Sequence, residues 1–491
     1  MKRIFPQATM IFLLFVSCQS GEKGASLATR SCAGCHAFVE PSMLDKKTWE
    51  SVVFPEMAFR MGLDVSKLSN IDERDHSEIL RTLPNPPLVS EEQYEAILKY
   101  YTENAPDSLV ILKAADANPL TQFTVSIKKL PTDIPTLLTM LRYDHEKKNF
   151  FVGNRKGKLY QLSNSLSLID SFQLDSPPSQ MIFGPSEKST LSCMGIMDPN
   201  DQREGSILRF SFPEKRAEVL VDSLKRPVHF QMADLNNDGK EDLLVSEFGN
   251  FTGALSAYEK NGEYAKRIIH NFPGTRKTIV RDFNDDGLPD IMALITQGDE
   301  RLALFTNRGD FRFAYQVLLK FSPVFGSSFI DLADFNDDGH PDILYTNGDN
   351  ADYSPVLKPY HGVRIFMNDG KNAFTESWFH QMHGASMARA TDFDKDGDLD
   401  IAAISFFPDF KASPEHSFIY FENSGGTFVP HATSLAASAR WITMEIMDMD
   451  DDDDVDIVLA ALTFPNGVPK NVIGHWKKSP ASFLILKNNL H

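Results

Sequence analysis

The sequence predicts a multidomain protein in which a small all-α domain precedes a longer all-β domain built from repeated four-stranded units. An acidic loop motif recurs five times between residues 234 and 456, and each copy is followed by a β-rich run. Upstream, Ser90-Glu91-Glu92-Gln93 has the form of a helix capping box, and apolar residues then recur at helical spacing as far as Tyr101. The formal charge of −18 argues against nucleic acid as a partner, because phosphates would be repelled.

The first seventeen residues have the pattern of a bacterial signal peptide. Lys2 and Arg3 precede an apolar run over residues 10–16, which is shorter than the about 20 residues that a permanent membrane helix needs. We expect cleavage before Cys18 and lipid attachment to that cysteine, because a small residue followed by cysteine resembles a lipoprotein processing site, although Phe15 replaces the usual leucine. The alternative is that Cys18 lies inside the discarded peptide. In both alternatives the chain is exported. If Cys18 is lipidated, residues 18–26 would tether the protein as a periplasm-facing or cell-surface outer-membrane lipoprotein.

Residues 32–36 read Cys-Ala-Gly-Cys-His, the pattern of covalent c-type haem attachment. The thiols of Cys32 and Cys35 lie on one turn and can bond to the two vinyl groups of a haem, which places His36 beneath the iron as its proximal ligand. A zinc site would need a second Cys-x-x-Cys or paired histidines nearby, and a thioredoxin-type pair would need a βαβ setting. The sequence provides neither, so the pattern predicts one covalent haem c.

A methionine is the favoured second axial ligand for an electron-transfer haem. We expect Met57 in this role, with Met61, His76 or an open sixth position as alternatives. Because Met57 and Met61 are four residues apart, they could share one helical face, and one of them is expected to be only a packing residue.

The order of attachment helix, methionine-bearing loop and terminal amphipathic helix resembles the class I cytochrome c fold over residues 27–105. The segment between His36 and Met57 is shorter than that family usually has. The terminal helix should end near Asn104, since Ala105-Pro106 follows, and residues 106–120 would be a linker.

The five acidic loops share the pattern D-x-[ND]-x-D-G-x-x-D, with a variation in the last copy, and successive copies start 48, 52, 58 and 56 residues apart. Oxygen-bearing side chains at positions 1, 3 and 5 of a tight loop converge on one point, which is the geometry of a calcium site. We expect the carbonyl at position 7 and the carboxylate at position 9 to complete each site, giving four to five bound Ca²⁺ ions. The predicted ligands are Asp234, Asn236, Asp238, Asp242, Asp282, Asn284, Asp286, Asp290, Asp334, Asn336, Asp338, Asp342, Asp392, Asp394, Asp396, Asp400, Asp448, Asp450, Asp452 and Asp456.

The surroundings of these loops exclude an EF-hand, which would place helices on both sides and a glutamate at position 12. The fifth copy carries Asp453 where the others have glycine, so its loop must tolerate a positive φ on an aspartate or bind calcium poorly. The ligand carboxylates account for nearly the whole excess of negative charge, so metal sites explain the acidity and the ions are expected to be structural.

A four-stranded antiparallel unit of about 50 residues is typical of a β-propeller blade. Five blades carry the loops, and residues 150–154 and 191–195 have the pattern of inner strands of two more, so we predict seven blades over residues 121–491. The last blade lacks a strand after residues 483–488, and we predict that residues 123–127 supply it and close the ring. These repeats resemble the FG-GAP/VCBS type, similar to the calcium loops of integrin-like propellers. The whole chain resembles bacterial lipoproteins that join a cytochrome c domain to such a propeller.

The leading functional interpretation is a mono-haem electron-transfer protein of the cell envelope whose propeller docks a redox protein partner or a substrate. The alternatives are a haem-linked oxidoreductase with its active site in the propeller, and a surface adhesion or glycan-binding module. The sequence contains no G-x-S-x-G, H-E-x-x-H or P-loop pattern, and no catalytic residue is predicted.

A few further residues are weaker candidates. His380 and His383 precede the fourth loop and could line the central channel, although packing is the simpler interpretation. Arg440 and Trp441 occupy the equivalent place before the fifth loop. Cys193 is expected to be a small buried hydrophobic residue on an inner strand.

Overall fold

The computed structural model describes residues 18–131, 136–185, 188–350 and 356–490, with side chains from Gly24 onward. The predicted signal peptide and the side chain of Cys18 lie outside the described residues. In the part of the chain that is described, no helix is long and apolar enough to cross a membrane.

The chain divides into two compact units. Residues 18–67 with Leu83–Ser108 form the first, and Leu68–Thr82 with residues 109–490 form the second. The α-helices are α1 (Cys18–Cys32), α2 (Lys46–Thr48), α3 (Phe54–Arg60), α4 (Glu73–Leu80), α5 (Glu91–Asn104) and α6 (Lys470–Lys478), and a π-helical turn, Trp49–Val53, joins α2 to α3. Helices α4 and α6 belong to the second unit.

The helical unit is held by the crossing of α1 and α5 and by an aromatic core. At Gly24 of α1, a Cβ would lie 2.8 Å from the carbonyl oxygen of Ala96, so only glycine permits this approach. The rings of Trp49 and Tyr101 lie 4.4 Å apart between their centroids, and both are buried. The predicted capping box at Ser90 is confirmed, and α5 ends at Asn104 as expected.

The second unit is a seven-bladed β-propeller, as the sequence predicts. Two strands precede the first complete blade, β1 (Asn118–Pro119) and β2 (Phe123–Lys128). Blade 1 is β3 (Leu138–Asp144), β4 (Asn149–Asn154), β5 (Lys158–Ser163) and β6 (Leu168–Gln173); blade 2 is β7 (Pro178–Phe183), β8 (Lys188–Cys193), β9 (Gly205–Ser211) and β10 (Arg216–Leu224); blade 3 is β11 (Pro227–Ala233), β12 (Asp242–Glu247), β13 (Ala254–Asn261) and β14 (Glu263–His270). Blade 4 is β15 (Thr275–Arg281), β16 (Asp290–Ile295), β17 (Arg301–Asn307) and β18 (Phe313–Lys320); blade 5 is β19 (Ser327–Ala333), β20 (Asp342–Asn347), β21 (Gly362–Asn368) and β22 (Phe374–Gln381); blade 6 is β23 (Ala385–Thr391), β24 (Asp400–Ser405), β25 (Phe418–Ser424) and β26 (Thr427–Ala432); blade 7 is β27 (Trp441–Met447), β28 (Asp456–Ala461) and β29 (Phe483–Asn488).

The ring is closed by β2, which is the fourth strand of blade 7. It pairs antiparallel with β29, with Phe123 opposite Asn488 and Lys128 opposite Phe483. The predicted closing strand is therefore confirmed, and it removes a free sheet edge. Strand β1 adds to blade 6 by parallel pairing with β26.

The first strand of each blade contacts the first strands of its neighbours and is therefore innermost. Residues 150–154 and 191–193 lie on the second strands β4 and β8, so their prediction as inner strands was wrong. The physical reason is burial: a second strand such as β20 is covered on both faces and is almost wholly buried, which gives a continuous hydrophobic run. A first strand such as β19 has partly exposed positions facing the channel and is less hydrophobic.

The short segment Leu68–Thr82 is part of the propeller unit because of polar contacts made by α4. The Asp75 carboxylate accepts a hydrogen bond from Gln202 Nε2 at 2.6 Å, and Glu78 pairs with the buried Lys225 at 2.5 Å. Nothing in the local sequence pattern indicates these contacts.

Candidate metal-binding loops and haem-attachment segment

Each acidic loop joins the first strand of a blade to its second strand, in blades 3 to 7. In every loop position 4 has a φ between 55° and 65°, and position 6 has a φ between 66° and 99°. Four loops have glycine at position 6, whereas Asp453 adopts a φ of 66° in the fifth. The fifth loop therefore keeps the conformation of the others at an aspartate, which is one of the two outcomes expected from the sequence.

Backbone donors hold the loop carboxylates in place, as the third loop illustrates. Asp334 accepts hydrogen bonds from the amides of Asp338 at 3.2 Å and Gly339 at 2.8 Å, and Asp338 accepts from the amide of His340 at 2.8 Å. The position-1 bonds recur in all five loops. Side-chain oxygens are therefore gathered on one side of each loop.

The aspartate at position 9 has a second role that sequence reasoning missed. In each of blades 3 to 7 this aspartate is buried, one of its oxygens accepts from the amide at position 2, and the other accepts from an amide on the third strand. In blade 5, Asp342 accepts from Phe335 N at 2.9 Å and from Asn368 N at 2.7 Å. Burial raises the pKa of all five of these carboxyls. The equivalent aspartates are Asp242, Asp290, Asp400 and Asp456.

The fourth loop concentrates negative charge most clearly. Carboxylate oxygens of Asp392, Asp394 and Asp400 all lie within 4.8 Å of one another. Burial, and next the charge of Asp400, raise the pKa of Asp394 to about 6. Such an all-oxygen group of uncompensated carboxylates fits a hard cation such as Ca²⁺.

The fifth loop gathers the equivalent carboxylates of Asp448, Asp450 and Asp456, but it also recruits lysines. Lys487 Nζ lies 2.5 Å from Asp450, and Lys148 pairs with Asp451. Asp454, at position 7, is 1% exposed and neither of its carboxylate oxygens has a hydrogen-bond donor among the described residues. Burial is the main cause that raises the pKa of Asp454 to about 6. In the fifth loop two lysines therefore offset part of the negative charge, whereas the buried carboxylate of Asp454 has no hydrogen-bond donor among the described residues.

The haem-attachment motif lies at the end of α1. Cys32 is its last residue, Cys35 is exposed, and both thiols are free. Burial raises the pKa of the Cys32 thiol. His36 Nδ1 lies 2.8 Å from the carbonyl oxygen of Ala37, and because a carbonyl can only accept, Nδ1 carries the hydrogen in this bond. In a neutral ring with this hydrogen on Nδ1, the lone pair is on Nε2, which is the arrangement that a metal ligand requires.

The candidates for the second axial ligand lie in different settings. Met57 is in α3 and Met61 is its C-cap residue, one turn later, and both are partly buried. His76 Nε2 lies 3.0 Å from the carbonyl oxygen of Ile71. The choice of Met57 stays a prediction.

The weaker candidates are held by packing and by hydrogen bonds to the backbone. His380 is on β22, the outermost strand of blade 5, where its ring centroid lies 4.7 Å from that of Phe421, so its placement along the channel was wrong. His383 is buried in the loop before β23. The buried Arg440 guanidinium donates to the carbonyls of Phe406 and Phe464, and Trp441 Nε1 donates to that of Ala436. Cys193 is buried as expected, although on a second strand.

Comparison with known proteins supports the repeat assignment. The FG-GAP-like repeat family matches residues 282–345, which contain the second and third acidic loops. No curated protein matches the chain.

Several solved structures are similar to this chain at low sequence identity. The N-terminal domain of Nup159 is 12% identical with a TM-score of 0.44, over 76% of this chain and 98% of that one. The Neurospora crassa Pan2 WD40 domain is 13% identical with a TM-score of 0.46, over 77% and 99%. The β-propeller domain of Myceliophteria thermophila Cps50 (Swd1) is 9% identical with a TM-score of 0.44, over 75% and 100%. The fold assignment rests on the strand topology described above.

Proposed function

We propose that this protein is an envelope-anchored c-type cytochrome that carries electrons through one covalent haem, with its propeller as a calcium-stabilised docking platform. The observation that carries the proposal is the Cys-x-x-C-H motif at the end of a helix, with two free thiols and a histidine whose Nδ1 is engaged by a backbone carbonyl. The FG-GAP-like repeats and the propeller support a binding or docking platform.

The residues present fit a haem c. Cys32 and Cys35 would hold it by thioether bonds and His36 would be its proximal ligand, with Met57 as the proposed distal one. When bound, the haem supplies a one-electron couple whose potential depends on the axial ligands and their surroundings. The hydrogen bond from His36 Nδ1 to the carbonyl oxygen of Ala37 orients the ring, so Nε2 would be the atom that binds the iron.

The haem proposal is tested by producing the chain in a host that matures c-type cytochromes. We expect covalent haem, one per chain, in haem-stained denaturing gels and in the reduced-minus-oxidised spectrum. Cys32→Ala and Cys35→Ala should each abolish the fully attached form, whereas Cys193→Ala, at the buried propeller thiol, should keep it. A colourless wild-type protein from a competent host would refute the redox function.

The identity of the distal ligand has its own spectroscopic test. Met57→Ala should remove the weak red-edge absorbance band of a methionine-ligated haem, whereas Met61→Ala should leave that band unchanged. The reverse result would move the ligand to Met61. Carbon monoxide binding to the reduced wild type would instead show an open iron and favour the oxidoreductase alternative.

The calcium proposal rests on the oxygen-only donor sets of the acidic loops. We propose four to five Ca²⁺ sites, and each site held at a free concentration of 100 times its Kd would add about 2.7 kcal/mol to the free energy of unfolding. Equilibrium dialysis followed by metal analysis should give four to five ions per chain, and Asp394→Asn should lose one. Asp310→Asn, at a highly exposed aspartate outside the loops, is the matched control. Calcium content no higher than that of a chelator-treated sample would refute the proposal.

The proposed lipid anchor depends on Cys18. Mass spectrometry of the mature N-terminus should find a diacyl- or triacyl-modified Cys18, and Cys18→Ser should release the protein from the membrane fraction. An unmodified N-terminus downstream of residue 18 would show that the chain is an ordinary secreted protein.

A further inference from the structure

The centre of the propeller carries an arc of charged side chains whose signs alternate. Lys277 on blade 4, Asp331 on blade 5, Arg389 on blade 6, Glu445 on blade 7 and Arg142 on blade 1 lie on innermost strands of successive blades. All five are partly accessible to water. The arc therefore begins and ends with a cation and carries a net charge of one positive unit at neutral pH with Lys277 protonated.

Both anions of the arc are already matched. Asp331 lies 3.1 Å from Arg389 Nη1, which donates a hydrogen bond to it, and 3.9 Å from Lys277 Nζ. Glu445 lies 3.3 Å from Arg142 Nε. Burial raises the pKa of Glu445, whereas the charges of Arg142 and Arg389 oppose that shift.

The two terminal cations are not saturated. Arg142 Nε pairs with Glu445 by charge but without hydrogen-bond geometry, and the Arg142 guanidinium forms no hydrogen bond with the described residues. Lys277 Nζ lies 3.6 Å from the ring centroid of Phe329, and its nearest carboxylate, that of Asp331, is beyond hydrogen-bond distance. Burial lowers the pKa of Lys277 to about 7, as expected for an ammonium group with too little compensation.

A neutral donor lies near these two cations. His229 Nδ1 accepts a hydrogen bond from the amide of Thr278 at 3.4 Å, so the ring hydrogen is on Nε2. Burial, and then the charges of Lys277 and Arg142, lower the pKa of His229 to about 3, so the ring stays neutral. On blades 2 and 3 the channel wall has uncharged side chains: Gln180 is in the strand register of Lys277, and Ile182 and Gln231 are in the register of the other four members of the arc.

We propose that the central channel binds a small carboxylate, held between Arg142, Lys277 and the Nε2–H of His229 on the uncharged side of the ring. A single negative charge would neutralise the arc, and the planar guanidinium fork of arginine matches a carboxylate. None of these three residues belongs to the acidic loops or to the haem-attachment motif. It gives the docking platform a ligand class that its sequence motifs do not indicate.

The proposal is tested by titrating the full-length, calcium-loaded protein with sodium acetate in a calorimeter. Arg142→Gln and Lys277→Gln should each weaken acetate binding by about tenfold or more, which is the scale of one charge-assisted hydrogen bond. Arg267→Gln, which breaks an exposed ion pair on an outer strand, is the matched control and should bind like the wild type. Equal binding by the channel variants, or no acetate binding by the wild type at tens of millimolar, would overturn the proposal.

Two further measurements test the choice of anion and the contact with Lys277. Chloride and phosphate are titrated at the same ionic strength, and a clear preference for either over acetate would overturn the assignment to a carboxylate. If a channel variant fails to fold, the wild type still gives an answer through NMR of ¹³C-methylated lysines. Acetate should raise the pKa of Lys277, and an unchanged value at saturating acetate would refute its contact with the anion. The charged or titratable groups that act on Lys277, His229 or Glu445 include Asp331, Arg389, Arg142 and His145.

Discussion

Replacing Asp342 by alanine should destabilise the propeller even when calcium is absent. Asp342 is 0% exposed, and its two oxygens accept hydrogen bonds from the amides of Phe335 and Asn368, which ties the acidic loop to the third strand of blade 5. The alanine variant leaves two backbone donors without acceptors in the protein. Each such loss costs about 1–3 kcal/mol, so the free energy of unfolding should fall by about 2–6 kcal/mol.

Asp338 of the same loop provides the control. It is exposed, and it accepts from the amide of His340 and from Asn336 Nδ2. In chelator, Asp338→Ala should therefore cost at most about 1 kcal/mol, because water replaces the lost acceptor. In calcium, both variants should lose stability if both residues are ligands.

The assay is urea unfolding followed by tryptophan fluorescence, in chelator and in calcium. A Trp49→Phe background leaves three tryptophans, all in the propeller unit, as reporters. If Asp342→Ala and Asp338→Ala unfold at the same urea concentration in chelator, the structural role assigned to the position-9 aspartates is wrong.

Three other predictions concern single features of the propeller. Asp453→Gly should raise the free energy of unfolding by about 0.5–1 kcal/mol, because glycine adopts the φ of 66° without strain, and a lower urea midpoint would contradict this. Thr124→Pro should lower the midpoint, because Gln122 and Asn489 form a hydrogen-bonded pair and the alternation of the antiparallel ladder turns the Thr124 amide towards β29, whereas Val110→Pro, at an exposed residue outside any strand, should not; equal midpoints would argue against closure by β2. Burial raises the pKa of Glu300 to about 7 in the folded protein, from 4.5 as the ordinary value. The folded state therefore binds the proton more tightly than the unfolded state, and a stabilisation of about 3 kcal/mol that is present in acid is lost as the pH rises from 4.5 through 7. Glu300→Gln should flatten this dependence of the free energy of unfolding on pH, and identical pH profiles for the variant and the wild type would refute the prediction.

Local patterns were enough to predict much of this protein. The acidic loops, the helix cap at Ser90 and the closing strand at residues 123–127 each depend on a few neighbouring residues, so the sequence indicates them directly. The Cys-x-x-C-H motif is equally local, and its haem is proposed on that basis. The seven blades followed from counting repeats, since each repeat is one structural unit.

What the sequence could not give depends on contacts between distant residues. The order of strands within a blade was misassigned at residues 150–154, because a strand buried on both faces looks like the innermost one while the true inner strand faces a water-accessible channel. The grouping of Leu68–Thr82 with the propeller depends on side chains more than 100 residues away. Arg142 on blade 1 and Lys277 on blade 4 face the same channel only because the ring closes, so the action of one charge on the other is a property of the tertiary structure and no segment of sequence contains it.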